Sequence, residues 1–214
     1  MKWIAIGAHL LRDDVEPLAE ALPIGDLFLS ALSIADDQPL GDRELLVQVA
    51  GIRARLLDAA TFVAIRYGFS LGSASEAESK CAAHLARWRK LLTAHREHVE
   101  MTLKVAAASA CPRPDRHDFT SGADYLRALH AATQATNVDA AFREHAERLL
   151  VAQSVQHRWQ HRDERSVELA LLVPRASLEE VRAGGEELRR VAPDVPFLFS
   201  GPWPLEVFAD DDRE

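Results

Sequence analysis

Apolar residues recur along this chain in two periods, and the switches between them outline its elements. The opening run Met1-Lys2-Trp3-Ile4-Ala5-Ile6-Gly7 is short and apolar and predicts a first strand. Leu27–Ile34 predicts a second, preceded by the turn residues Pro23 and Gly25. Leu45, Val49, Ile52, Leu56 and Ala59 then recur at helical spacing behind Asp42, a residue suited to capping a helix. Thr61–Tyr67 is β-branched and aromatic, a third strand broken at Gly68. Ser75-Glu-Ala-Glu78 has the pattern of a capping box, and behind it Cys81, Leu85, Trp88, Leu92 and His95 fall on one helical stripe. These elements predict an N-terminal mixed α/β domain over residues 1–96.

The second half is more regular. Val99, Met101, Leu103 and Val105 alternate with Glu100, Thr102 and Lys104, which predicts a strand with one buried face. Ala106–Phe119, with Pro112 and Pro114, reads as a loop. Helices are expected from Ser121 to about Ala132 and from Asn137 to about Ala152, the latter with Phe142, Ala146, Leu149 and Leu150 inward. Ser154–Gln160 alternates, Arg162-Asp163-Glu164 reads as a turn, and Ser166–Val173 is a strongly apolar strand. Ser177-Leu-Glu-Glu180 resembles a second capping box, opening a helix that carries Gly184-Gly185 at its middle. Each Gly costs about 1 kcal/mol relative to Ala, so close packing against a sheet is the expected reason for the pair. Val195–Phe199 is the last strand.

That order is β-α-β-β-α-β with an extra helix, the ferredoxin-like unit. Its first and third strands are central, matching the apolar Val99–Val105 and Ser166–Val173. Its fourth is an edge, where Pro196 is tolerated. The expected fold class is therefore α+β in two domains. They comprise residues 1–96, a ferredoxin-like domain over 97–208, and an acidic tail over 209–214.

Composition narrows the function classes. With 48% hydrophobic residues in 214, a real core is expected and wholesale disorder is not. The net charge of −8 and the lack of a Lys/Arg run with interleaved aromatics argue against nucleic acid as a partner. Two cysteines, Cys81 and Cys111, are too few for a disulfide framework and suggest reduced thiols in a cytoplasmic protein. The opening run contains His9 and ends at Arg12-Asp13-Asp14 without a small-residue cleavage site, so a strand is the better reading than a signal peptide. No stretch has the length of a membrane span.

Candidate chemistry is sparse. His95 and His98 straddle a helix-to-strand transition, and His157 and His161 cross the end of a strand, where positions four apart lie far from each other. Neither pair comes with an HExxH, a CxxC or a facial carboxylate, so no metal or other cofactor is expected. Gly68–Gly72 lacks the Lys-Ser/Thr of a phosphate loop, and no G-x-S-x-G elbow occurs. Paired acids such as Glu76/Glu78 and Glu179/Glu180 fall in first helical turns and complement the dipole. No active site emerges, and an enzyme is not expected.

Ser200-Gly201-Pro202-Trp203-Pro204 stands apart. Two prolines bracketing a Trp fix the backbone and hold a large ring in place. By itself the segment reads as a rigid turn whose Trp packs back on the domain. Together with Phe208 it resembles the Ser/Thr-Gly-Pro-Trp-Pro ending of the gas vesicle protein family GvpL/GvpF. Ile65-Arg66-Tyr67-Gly68-Phe69 is similar to that family's strand ending in an aromatic-Gly pair. Val99–Val105 is similar to its Val-Glu-x-x-Val-Lys strand, Ser121-Gly122-Ala123-Asp124-Tyr125-Leu126 to its Ser-Gly-x-x-Tyr-Leu helix start, and Leu169–Val173 to its Tyr-Leu-Val strand. The matches keep their order from about Leu45 onward. Departures are Leu205-Glu206 in place of Pro-Tyr, Ala64 in place of Pro, and a poorly matching first forty residues.

The resemblance implies two α+β domains, the second ferredoxin-like, and a non-catalytic accessory role in building gas vesicles. It implies a cytoplasmic and gas-vesicle location and, as partners, the hydrophobic shell protein GvpA and other accessory Gvp proteins, with no membrane. Gly201, Pro202, Trp203, Pro204, Phe208, Tyr67, Gly68 and Phe69 are the candidate binding residues. Two other readings stay open: a ferredoxin-like small-ligand-binding regulatory module, and an enzyme using His157 or His161 as acid/base.

Overall fold

The computed structural model describes residues 1–10, 19–73, 75–106, 114–134, 138–163 and 166–209, with the side chains of 130–134 and 162–163 left aside. The chain is mixed α+β and divides into two compact units. One is Met1–Val99 together with the segment that starts at Pro202; the other is Glu100–Gly201. The ending therefore groups with the first unit, whereas the expected boundaries placed 97–208 together. Cys111 and the acidic residues beyond Ala209 lie outside the described residues.

In the first unit, β1 (Lys2–His9), β2 (Glu20–Ile24), β3 (Leu27–Ile34), β4 (Phe62–Ala64) and β5 (Ser70–Leu71) form one sheet. Its order is β2-β3-β1-β4, with β5 also on β1. β2 was missed at the sequence level because Pro23 and Gly25 read as a turn. Pro23 instead sits in this edge strand, where a missing N–H is tolerated, and the turn is the two-residue loop Gly25–Asp26. The expected strand Thr61–Tyr67 is shorter. β4 and β5 both pair with β1, and the chain between them keeps two further bonds to it, Ile65 N to Ile6 O (3.1 Å) and Ala5 N to Phe69 O (2.9 Å). Helices α1 (Arg43–Ala59) and α2 (Glu76–Ala94) complete the unit. Asp42 caps α1 through the amide of Glu44, as expected. Ser75 makes no capping bond, and Glu76 accepts instead from the amide of Gly72. The core joins Ile4, Ile6 and Ile34 of the sheet to Leu45, Val49 and Ile52 of α1.

The second unit is built on β6 (His98–Ala106), β7 (Gln156–Asp163), β8 (Ser166–Pro174) and β9 (Phe197–Trp203), in the order β7-β8-β6-β9. The two most apolar strands are central and the polar, alternating β7 is an edge. Helices α3 (Gly122–Gln134), α4 (Ala140–Leu150) and α5 (Leu178–Val191) connect them. Ser121 caps α3 through the amide of Asp124, and Asp139 caps α4 through the amide of Phe142. Met101, Leu103 and Val105 meet Val167, Leu169, Leu171 and Val173 in one core with Phe142, Leu150, Val181 and Leu188. The glycine pair on α5 has two distinct uses. A Cβ on Gly184 would lie 2.6 Å from the carbonyl oxygen of Leu149 on α4, and one on Gly185 would lie 2.4 Å from the ring of Phe199 on β9.

Candidate functional site

The clearest site lies within the first unit, where α1 faces the returning C-terminal segment. α1 carries more apolar residues than one stripe requires. Leu45, Val49, Ile52 and Leu56 are buried toward the core. Leu46, Ala50, Ala54 and Leu57 form a second row at intervals of three and four, on an adjoining face. With Val49, Arg53, Ala64, Tyr67, Pro202, Trp203, Pro204 and Glu206, that row lines an open, chiefly apolar hollow of about 500 Å³. Leu46 stays 42% exposed and Trp203 47% exposed, and Val47, next to Leu46 in the chain, is 64% exposed.

The ending is held in place by its backbone and by two buried side chains. Leu205 forms a parallel bridge with Val63, its N–H donating to Phe62 O (2.9 Å) and its carbonyl accepting from Ala64 N (3.2 Å). Leu205 and Phe208 are buried in the core. The segment expected as a rigid turn is thus the end of β9 followed by a one-residue addition to β4. Gly201 has φ +130°, and a Cβ there would lie 2.6 Å from Met101 Sδ, so glycine is required by both conformation and space. The second proline and the Trp follow that kink on the wall of the hollow.

Tyr67 reaches the hollow from a tight turn. Phe69 N donates to Arg66 O (3.2 Å), and Gly68 occupies the third position with φ +92°, the conformation a type II turn demands. The Tyr67 hydroxyl donates to Leu40 O at 2.6 Å, which fixes the ring against the core. Of the candidate binding residues, the fold brings Tyr67, Pro202, Trp203 and Pro204 together on the hollow. Gly68 and Gly201 shape the backbone beside it, Phe208 is a core anchor, and Phe69 does not line it. The wall supplied by α1 was missed at the sequence level, although its second apolar row was visible there. Trp203 does not pack back into the domain as a buried ring.

Two charged residues, Arg53 and Glu206, lie among these apolar groups. Arg53 donates through Nη2 to Ile65 O, while its Nε is buried without a hydrogen-bond partner. Burial pulls its guanidinium below the ordinary pKa, and the nearby charge of Glu206 opposes that shift. Arginine remains protonated under either influence.

Other candidate chemistry is dispersed. Among the described residues no three His, Cys, Asp or Glu side chains gather as a metal site. His95 and His98 meet edge to face at 5.2 Å, and burial lowers the pKa of both. His157 is exposed on the edge strand β7, and neither it nor His161 lines the hollow. Cys81 is a free, buried thiol whose pKa burial raises. No helix among the described residues is long and apolar enough to cross a membrane.

Fold and site together define an α+β protein of two sheets that presents an open apolar surface beside a half-exposed Trp. The chain belongs to the gas vesicle synthesis protein GvpL/GvpF family, whose model matches residues 19–209. Its fold is similar to two solved structures. The gas vesicle protein GvpF of Microcystis aeruginosa aligns at TM-score 0.68 and 11% identity, over 97% of this chain and 98% of that one. GvpF of Anabaena sp. PCC7120 aligns at TM-score 0.69 and 12% identity, over 97% and 95%. No curated protein sequence matches. Family membership supports a role in gas vesicles, and the resemblance read from the ending and the strand motifs is borne out.

Proposed function

We propose that this protein is a non-catalytic accessory factor of gas vesicle formation that binds the apolar shell protein GvpA, in concert with other accessory Gvp proteins. The reading takes the second unit as a ferredoxin-like domain, in keeping with the strand order β7-β8-β6-β9. It takes the first unit as the docking unit and places the protein in the cytoplasm, at growing vesicles. The observation that carries it is the open hollow of α1 and the ending, where Leu46 and Trp203 leave large apolar surface uncovered. An exposed apolar patch with an aromatic anchor is the usual signature of a protein-binding surface. A rigid β9 ending, fixed by prolines and by the Leu205 bridge, presents that anchor at low cost in side-chain entropy.

Co-purification with GvpA tests the reading. Wild-type protein is expected to retain the shell protein, whereas Trp203→Ala combined with Leu46→Glu is expected to lose it while melting normally. Retention of GvpA by that folded double variant would remove the hollow as the docking site. A melting temperature that rises with a small metabolite, and not with GvpA, would instead support the ligand-sensing reading.

A further inference from the structure

The hollow is chiefly apolar, and the Arg53 cation on its lining selects what can cover it. We infer that its occupant is an apolar chain segment carrying a single carboxylate, which Arg53 receives. This rests on the docking reading above and adds the chemistry of the partner.

Arg53 is held rather than mobile: Nη2 is committed to the carbonyl of Ile65. Its Nε lies buried with no acceptor. The side chain shares the lining with Leu46, Val49, Ala50, Ala54 and Leu57 of its own helix. A wholly apolar partner would strip solvent from the part of the guanidinium that still faces the hollow, an unfavourable outcome for a charged group. A carboxylate would accept from the guanidinium in a charge-assisted bond, strengthened by the apolar surroundings. Glu206 is the other charge on the lining, and its field acts on Arg53. Glu206 is therefore the group the incoming carboxylate competes with. The hollow would then discriminate among apolar segments by one acid, which matters for a surface that must otherwise bind any greasy sequence.

The test is a double-mutant cycle between this full-length chain and the shell protein presented as overlapping synthetic segments. Each Asp or Glu of the binding segment is changed in turn to Asn or Gln. One such change is expected to weaken wild-type binding by about tenfold, and the same change is expected to have no effect on Arg53→Met. Because the acids are altered on the partner, this chain stays intact in the decisive comparison. Arg53→Gln serves if Arg53→Met fails to fold. If no carboxylate substitution weakens binding while Trp203→Ala does, the Arg53 inference falls and docking at the hollow stands. If neither the carboxylates nor Trp203→Ala changes binding, the docking reading falls with it.

Discussion

Helices α5 and α1 bury one face each, yet they treat the rest of their surface differently. α5 packs Val181, Gly185 and Leu188 inward, sets Gly184 against α4, and carries charge over most of its remaining surface, Val191 at its end excepted. Its pairs Glu179–Arg182, Glu186–Arg189 and Glu187–Arg190 all run three residues apart, with acids in the first turn and arginines in the last. α1 packs Leu45, Val49, Ile52 and Leu56 inward, and then spends Leu46, Val47, Ala50 and Ala54 on faces no core requires. A helix whose task is packing alone has no use for a second apolar row, since such a row risks aggregation. The surplus on α1 marks the surface that the fold keeps open, and the C-terminal segment supplies its opposite wall.

The contrast predicts a gradient of effects. The largest belongs to the core under α4 and α5. Phe142 is fully buried against that core, and Phe142→Ala is expected to cost about 3–5 kcal/mol in urea denaturation. Gly184→Ala comes next. Its new methyl would meet the backbone oxygen of Leu149, which cannot step aside, so a loss of about 1–3 kcal/mol is expected despite the better helix propensity of Ala. The equivalent change on α1 should have the opposite sign. A Cβ on Gly51 meets nothing within 4 Å, and Gly51→Ala is expected to stabilise by about 0.5–1 kcal/mol. A loss of stability there would show that this face of α1 is covered.

Smaller still is the effect expected at the hollow. Trp203→Ala should move stability by about 0.5 kcal/mol or less, as for an exposed site, while shell-protein binding falls. A drop in melting temperature comparable to that of Phe142→Ala would return Trp203 to a purely structural role. The gentlest lever is pH. His9 is buried, its Nδ1–H donates to Leu10 O, and its Nε2 accepts from the Ser30 hydroxyl, so the neutral ring is satisfied. Burial lowers its pKa below the unfolded value of 6.5. The unfolded chain therefore takes up the proton first. Stability from this group is complete above pH 6.5 and declines as pH falls from there through the lowered folded value. His9→Gln should flatten the fall in melting temperature between neutral and mildly acid buffer. Part of the slope should remain, because the pKa values of His95 and His98 are lowered too.

Much of this was legible along the chain. Alternation at Val99–Val105, the continuous run at Ser166–Val173 and the helical spacing of Leu45–Leu56 each mark a real element, because periodicity records which side of an element meets apolar neighbours. Two expectations failed for local reasons. Pro23 suggested a turn, but an edge strand tolerates it. The capping boxes at Ser75 and Ser177 make no side-chain capping bond. At Ser177 a 3₁₀ turn over Arg175–Ser177 leads into the helix instead.

What the chain determined by itself is the type and order of most of its elements, β2 and β5 excepted, the family, and the distinctiveness of Gly201–Pro204. Tertiary structure alone decided where that segment goes and what it faces. Leu205 joins β4, Trp203 turns outward, and a second apolar row on α1, more than 140 residues earlier by the numbering, becomes the other wall of the same hollow. The physical reason is that a period specifies which face of an element is apolar and says nothing of whether another element covers it. That depends on contacts between residues far apart in the chain, which exist only once the backbone has closed.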